Sequence, residues 1–296
     1  MIVKGYILKG RKADAEKALR MIHRGEKEYD PSAEIKLLEE ERERELEHLG
    51  HTSWLGMMRD PIERKKIMWS AGAMYSQQIC GILFFYVYGV VFAQAIGISQ
   101  PFTIQLITNV LQIFAVAFAV LSGNKIRRRT NLLVTTSIML VAFLIIGGIG
   151  TNKTLSRAHQ YVIVVFSYIV IVAFNIGLGP LAYTVAREMA VGPNQNKIMS
   201  TSIVFFYFIT WVVSFTAPYL YYDAGLGPML GFVYAGTTLT SLLYCYFCVG
   251  ETKGRTSMEI GMLLSQGVPA RHWREHDLGL TDVPAEVHNV DVKEKA

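Results

Sequence analysis

Charge is what this sequence has least of. Asp, Glu, Lys and Arg make up only 18% of its 296 residues, against roughly a quarter in soluble domains. Between positions 67 and 250 the charges are confined to short clusters: Lys125 with Arg127, Arg128 and Arg129; Lys153 and Arg157; Arg187 and Glu188; Lys197; and Asp223. No Asp or Glu lies in the middle of an apolar run. Cysteine is scarce too. The three, Cys80, Cys245 and Cys248, all sit in apolar surroundings. Cys245 and Cys248 have C-x-x-C spacing, but no second pair completes a zinc site, and no disulfide framework is implied. Packing is the expected role of all three. No metal-ligand cluster, nucleophile–base pair or glycine-rich phosphate loop is present, so the sequence offers no enzyme active site, metal site or cofactor site. The first sixty residues are charged and helix-forming, so no apolar signal peptide is expected there.

What is there in excess is apolar length. Hydrophobic residues reach 51%, and the modest mean hydropathy of +0.29 averages two different materials. Positions 1–66 and 251–296 are polar. Positions 67–250 hold six apolar runs, near 67–95, 104–121, 132–150, 161–186, 198–222 and 229–250, each long enough to cross a hydrocarbon core of about 30 Å. Six such runs in series predict a multi-pass all-α membrane protein in a lipid bilayer. The net charge of +5 collects at segment ends, so it orients the chain rather than binding nucleic acid. Loops after the second and fourth runs are the basic ones, which places them and both termini in the cytosol.

The expected organisation is a cytoplasmic region at 1–66, a six-helix bundle at 67–250 and a partly disordered cytoplasmic tail at 251–296. Positions 10–25 carry Ala15, Ala18, Leu19 and Ile22 at helical spacing, with Gly25 as a stop. A second helix starts at Asp30-Pro31 and runs through a Glu/Arg-rich stretch that reads as a solvated face. Trp54 and Trp69 suit the headgroup zone. Disorder is expected from about Leu280. Asn152-Lys153-Thr154 is a glycosylation sequon on a loop close to the membrane. Pro61, Glu63 and Lys66 match the mitochondrial-carrier pattern once, where that family needs three copies, which excludes it.

Polar residues inside the runs mark partners or a cavity. Gln77 and Gln78 lie mid-run in the first. Asn109 and Gln112 share a face in the second. Asn175 precedes Gly177, Gly179 and Pro180, which should break the fourth. Neutral amides and a Tyr hydroxyl suit a polyol, offering hydrogen bonds without charge. They equally suit helix–helix glue, at about 1 kcal/mol each. The residues alone leave both open.

Three motifs carry a resemblance. ETKGR at 251–255, QQxxG at 77–81 and GxGPxxYxxxxE at 177–188 resemble the sugar porters of the major facilitator superfamily. The likeness spans nearly the whole chain but only the C-terminal half of that fold, with intracellular helices near 9–49. The tail EIGMLLSQGVPARHW at 259–273 is similar to the ending of fungal maltose and general α-glucoside permeases. The resemblance implies sugar contacts from Gln77, Gln78, Asn109 and Tyr183, where Tyr183 replaces a cavity tryptophan and Leu83 replaces a sugar-binding asparagine. It also implies a cytoplasmic gate from Arg128, Arg129, Glu188, Glu251 and Arg255. Gly250 stands in place of a proline, Asn124 in place of an acid and Gln195 in place of an arginine. The implied function is transmembrane sugar transport, of an α-glucoside such as maltose or of a hexose, proton-coupled in the complete protein and seated in the plasma membrane. The expected partners are a small sugar and either a missing N-terminal six-helix half or another chain. The alternative is a non-transporting remnant, or a sensor or assembly subunit.

Overall fold

The computed structural model describes residues 12–22, 35–36, 53–123, 126–152 and 154–276. Among them all regular structure is helical. They fall into two units divided between Arg64 and Lys65. In the first unit, α1 (Lys12–Ile22) follows the predicted periodicity, with Ala15 and Leu19 buried and Glu16 paired to Arg20 at 2.8 Å. Short α2 (Trp54–Arg59) follows. The expected stop at Gly25, the second helix from Asp30 and the disorder beyond Leu280 lie outside the described residues.

Six segments are long and apolar enough to cross a membrane: 61–95, 101–122, 128–150, 157–189, 195–223 and 227–248. The first differs from the single run read in the sequence. It is two helices, α3 (Pro61–Ile79) and α4 (Ile82–Ala95), interrupted at Cys80 and Gly81. Gly81 takes a φ of +77°, a left-handed backbone that costs other residues roughly 1–2 kcal/mol. The ring of Tyr234 packs where a Gly81 side chain would stand. Hydropathy stays high through the break, which is why the sequence pattern does not show it.

The second and third segments are α5 (Pro101–Ser122) and α6 (Arg128–Gly150). The fourth segment breaks where the glycines predict, into α7 (Arg157–Ile176) and α8 (Leu178–Met189) around Gly177. Backbone carbonyls freed in an apolar bundle need a replacement donor. Asn131 supplies one, its Nδ2 donating to the Ile176 carbonyl at 3.1 Å. Pro180 falls in the first turn of α8, where its missing N–H costs nothing. The fifth segment is α9 (Gln195–Pro218), ending in a π turn over Tyr219–Asp223. The last is α10 (Leu230–Cys248) after a single 3-10 turn.

Helix α6 is the hub, packed by α7 and α10, while α5 lies on α7 and α9 on α4. The core is aromatic. Phe84 and Phe85 of α4 meet Phe92, Phe143, Tyr221 and Tyr234 at ring-centre distances of 5.3–6.1 Å. Segments 101–122 and 195–223 are only 17% buried against 39–56% for the other four, so α5 and α9 present most of their surface outward. A polar knot ties three helices. Ser70 of α3 donates to the Ala186 carbonyl of α8 at 2.8 Å and accepts from Ser202 of α9 at 2.8 Å.

The polar stretch after α10 is ordered as far as it is described. Helix α11 (Ser257–Ser265) begins with a reciprocal cap between Thr256 and Glu259. A 3-10 turn at Ala270–His272 then delivers Trp273, which is completely buried. Its indole donates to the Val268 carbonyl at 2.9 Å, and its ring lies 5.8 Å from Trp69. The slot exists because residue 250 is glycine: a Cβ there would stand inside the Trp273 ring. Overpacking of this kind costs about 1–3 kcal/mol. Gly250→Ala is therefore expected to destabilise the bundle by that amount in a denaturation titration, and Trp273→Ala in the same chain to relieve the clash.

Candidate functional site: two broken helices and a capped end

The two breaks face each other. Gln77, in the last turn of α3, donates from Nε2 to the Gly179 carbonyl of α8 at 2.6 Å. On the other side of both breaks, Asn175 of α7 donates from Nδ2 to the Tyr86 hydroxyl of α4 at 2.9 Å, and also to the Ile171 carbonyl at 2.8 Å. One hydrogen bond thus joins α3 to α8 and another joins α4 to α7. Gln77 and Gln78 are 5% and 6% exposed, and the side-chain carbonyl oxygen of each has no hydrogen-bond partner. Buried acceptors without donors are costly, at about 1–3 kcal/mol. Two in adjacent residues amount to an unfilled demand for hydroxyl or amide protons.

Of the other residues read as sugar contacts, Tyr183 lies one turn after Gly179 on the same face of α8. It is exposed, with its ring 5.7 Å from Phe206 of α9. Asn109 stands apart. It is exposed on α5, and its Oδ1 accepts from Gln105 of the same helix at 3.3 Å. Leu83, the apolar replacement, packs against the aromatic core. The Tyr86 partner of Asn175 escapes sequence reading. Asn175 is conspicuous in an apolar run, but nothing local marks which tyrosine it meets.

The charged residues read as a gate gather at one end of the bundle, where they cap helices as well as pair. Glu188, at the end of α8, accepts from Arg128, the first residue of α6. The same guanidinium donates to Thr252 at 3.2 Å. Glu251 acts on backbone donors. Its carboxylate accepts the backbone N–H groups of Arg128 and Lys253, both at 3.2 Å, so a negative charge sits at the positive end of α6. Arg129 does the converse at the C-terminus of α10. It donates to the carbonyls of Val249 at 2.7 Å and Tyr246 at 2.9 Å, with the Tyr246 ring 5.5 Å beneath it. Helices α6 and α10 therefore cap each other.

Arg255 turns away from this cluster to the tail. It pairs with Glu259 at 3.1 Å and donates to the carbonyls of Trp273 at 2.9 Å and His276 at 2.8 Å. The backbone N–H of Thr256, 2.6 Å from Glu259, holds that carboxyl below the usual carboxylate range, with Arg255 adding to the effect. A depressed folded-state pKa gives stability that is complete above the unfolded value, here 4.5, and is lost as pH falls through the lower folded value. Hydrogen-exchange protection across 256–276 is accordingly expected to be full above about pH 4.5 and to fall progressively as the pH drops below it. Glu259→Gln should flatten that dependence.

Among the described residues no group of His, Cys, Asp or Glu is placed to hold a metal. The cysteines are free, with Cys80 and Cys245 buried.

The family described as Sugar (and other) transporter matches residues 6–264. Among curated proteins, hexose transporter HXT9 of Saccharomyces cerevisiae is 24% identical over 76% of this chain and 42% of its own length. The probable high-affinity hexose transporter ght7 of Schizosaccharomyces pombe is 24% identical over 82% of this chain and 47% of its own length. Among solved structures, the proton:xylose symporter XylE of the major facilitator superfamily, bound to 6-bromo-6-deoxy-D-glucose, superposes with a TM-score of 0.68 at 18% identity. That match covers 88% of this chain and 54% of the symporter. The chain thus spans about half the length of the relatives it matches. A family match over most of the chain, on a six-span all-helical fold shared with a solved transporter, has one reading: the chain belongs to the Sugar (and other) transporter family.

Proposed function

We infer that this chain is the C-terminal six-helix bundle of a sugar porter and supplies half of its sugar path. The observation that carries the reading is the pair of unpartnered buried acceptors on Gln77 and Gln78, set where two broken helices face each other. Neutral acceptors fit hydroxyl donors, so the substrate class is an uncharged polyol. Gln77 and Gln78 accept from it, Tyr183 offers a ring and hydroxyl, and Asn109 contributes an amide from α5. A hexose agrees with the names of the matched yeast proteins. The likeness of 259–273 to α-glucoside permeases, and Leu83 in place of an amide, favour an α-glucoside such as maltose.

Alternating access needs two bundles that rock about a site between them. The outward faces of α5 and α9 are the surfaces that the second bundle would cover, whether it comes from more of the same chain or from another. Between 65 and 250 the acids are Glu188 and Asp223, both at span ends. A proton-coupling acid therefore belongs to the other bundle. With basic loops inward, the capped end faces the cytosol, both termini are cytosolic, and the plasma membrane is the proposed site. There the Arg128–Glu188 pair and the Glu251 cap close the cytosolic side and part as it opens. The alternative reading is a non-transporting remnant, or a membrane sensor or assembly subunit.

Uptake of labelled glucose and maltose decides between them in yeast lacking its own hexose uptake. This chain alone should stay at background, and co-expression with the part of HXT9 outside the matched region should restore uptake. Uncoupler-sensitive uptake by the chain alone would refute the claim that half is insufficient. Absence of uptake in every pairing would favour the remnant or sensor.

A further inference from the structure

In an unbroken α-helix Gln77 and Tyr86, nine positions apart, would point half a turn away from each other. With Gly81 left-handed between them, both meet the fourth segment, Gln77 at Gly179 and Tyr86 at Asn175. The break therefore turns a second polar group, the Tyr86 hydroxyl, toward the segment that Gln77 also meets. Its chemistry complements theirs. The Tyr86 oxygen accepts from Asn175, and that bond leaves the phenol proton available to donate. The Asn175 Nδ2 group donates to both Tyr86 and Ile171, so it fixes the phenol oxygen, and as a donor it does not take the phenol proton. Leu83, one turn earlier on the same face of α4, offers no hydrogen bond. The ring itself is held by Phe174 at 6.2 Å, edge to face.

We propose that the Tyr86 hydroxyl, positioned by Asn175, is a hydrogen-bond donor to the bound sugar and a determinant of which sugar is taken. It faces a ligand oxygen, where Gln77 and Gln78 face ligand hydroxyl protons. The inference rests on the sugar-porter reading, and the experiment separates the two. Saturation-transfer NMR on the full chain in nanodiscs measures the affinity for glucose and for each monodeoxyglucose. Tyr86→Phe keeps the ring and removes only the hydroxyl.

The expected result is glucose binding weakened about 3–10-fold, the loss of one hydrogen bond, with one deoxyglucose binding both forms equally. That deoxyglucose identifies the sugar oxygen Tyr86 serves. Unchanged glucose affinity in Tyr86→Phe would overturn the inference and leave the sugar reading standing. So would an equal loss for every analogue together with a lowered thermal midpoint, which is the signature of helix glue. No saturation transfer to any sugar in the unsubstituted chain would overturn both.

Discussion

Gly81→Ala is expected to destabilise the bundle by about 2–5 kcal/mol, through left-handed strain and overpacking together. The methyl would enter the Tyr234 ring while the backbone is held at a φ of +77°. The two costs are separable. Tyr234→Leu in the Gly81→Ala chain opens room for the methyl and should recover the packing part, leaving the strain. A denaturation titration in mixed micelles measures both. The substitution should also disturb the sugar face, because the break sets the direction of Tyr86 relative to Gln77. A loss confined to stability, with sugar binding unchanged in the folded fraction, would separate the break from recognition.

Arg128→Ala carries the second large effect. Arg128 and Glu188 have side chains 26% and 21% exposed, too buried for the pair to count as a surface ion pair and too wet for a full burial penalty. Removing the guanidinium takes away the Arg128 partner of Glu188 and leaves the carboxylate partly buried. The second oxygen, Oε2, already lacks a hydrogen bond. The expected cost is about 1–3 kcal/mol. Glu188→Gln in the same chain should return part of it, because a neutral amide is cheaper to strand. Arg128→Lys should fall between, since an ammonium keeps the charge but lacks the guanidinium geometry that reaches both Glu188 and Thr252. In a complete porter the same change should favour the inward-open form, measured as increased labelling of a cytosolic-side cysteine.

How far these features can be read from sequence depends on the distance over which each is encoded. Six long apolar runs specify the spans directly, because lipid imposes one length on every crossing. The break at Gly177 is written locally, in two glycines and a proline within four residues. The break at Gly81 is not, since a lone glycine among Cys80, Ile82 and Leu83 looks like packing. Only the Tyr234 ring, from the last span, shows why it bends. Glu251 was legible as a charge at a helix boundary, but its partner is the backbone of α6 rather than a guanidinium. Trp273 reads as one aromatic in a polar tail, and its slot is created by the absence of a side chain at Gly250. In each case the unread part is a contact between distant segments, which no local period records.

As proposed, Gln77 and Gln78 are sugar acceptors on a half-site that this bundle carries by itself. Saturation-transfer NMR of the full chain in nanodiscs with glucose and maltose tests it most directly. Transfer to sugar ring protons in the unsubstituted chain, abolished in Gln77→Ala/Gln78→Ala with the helical content retained, is the predicted result. Equal transfer in both forms, or none in the unsubstituted chain, would contradict it.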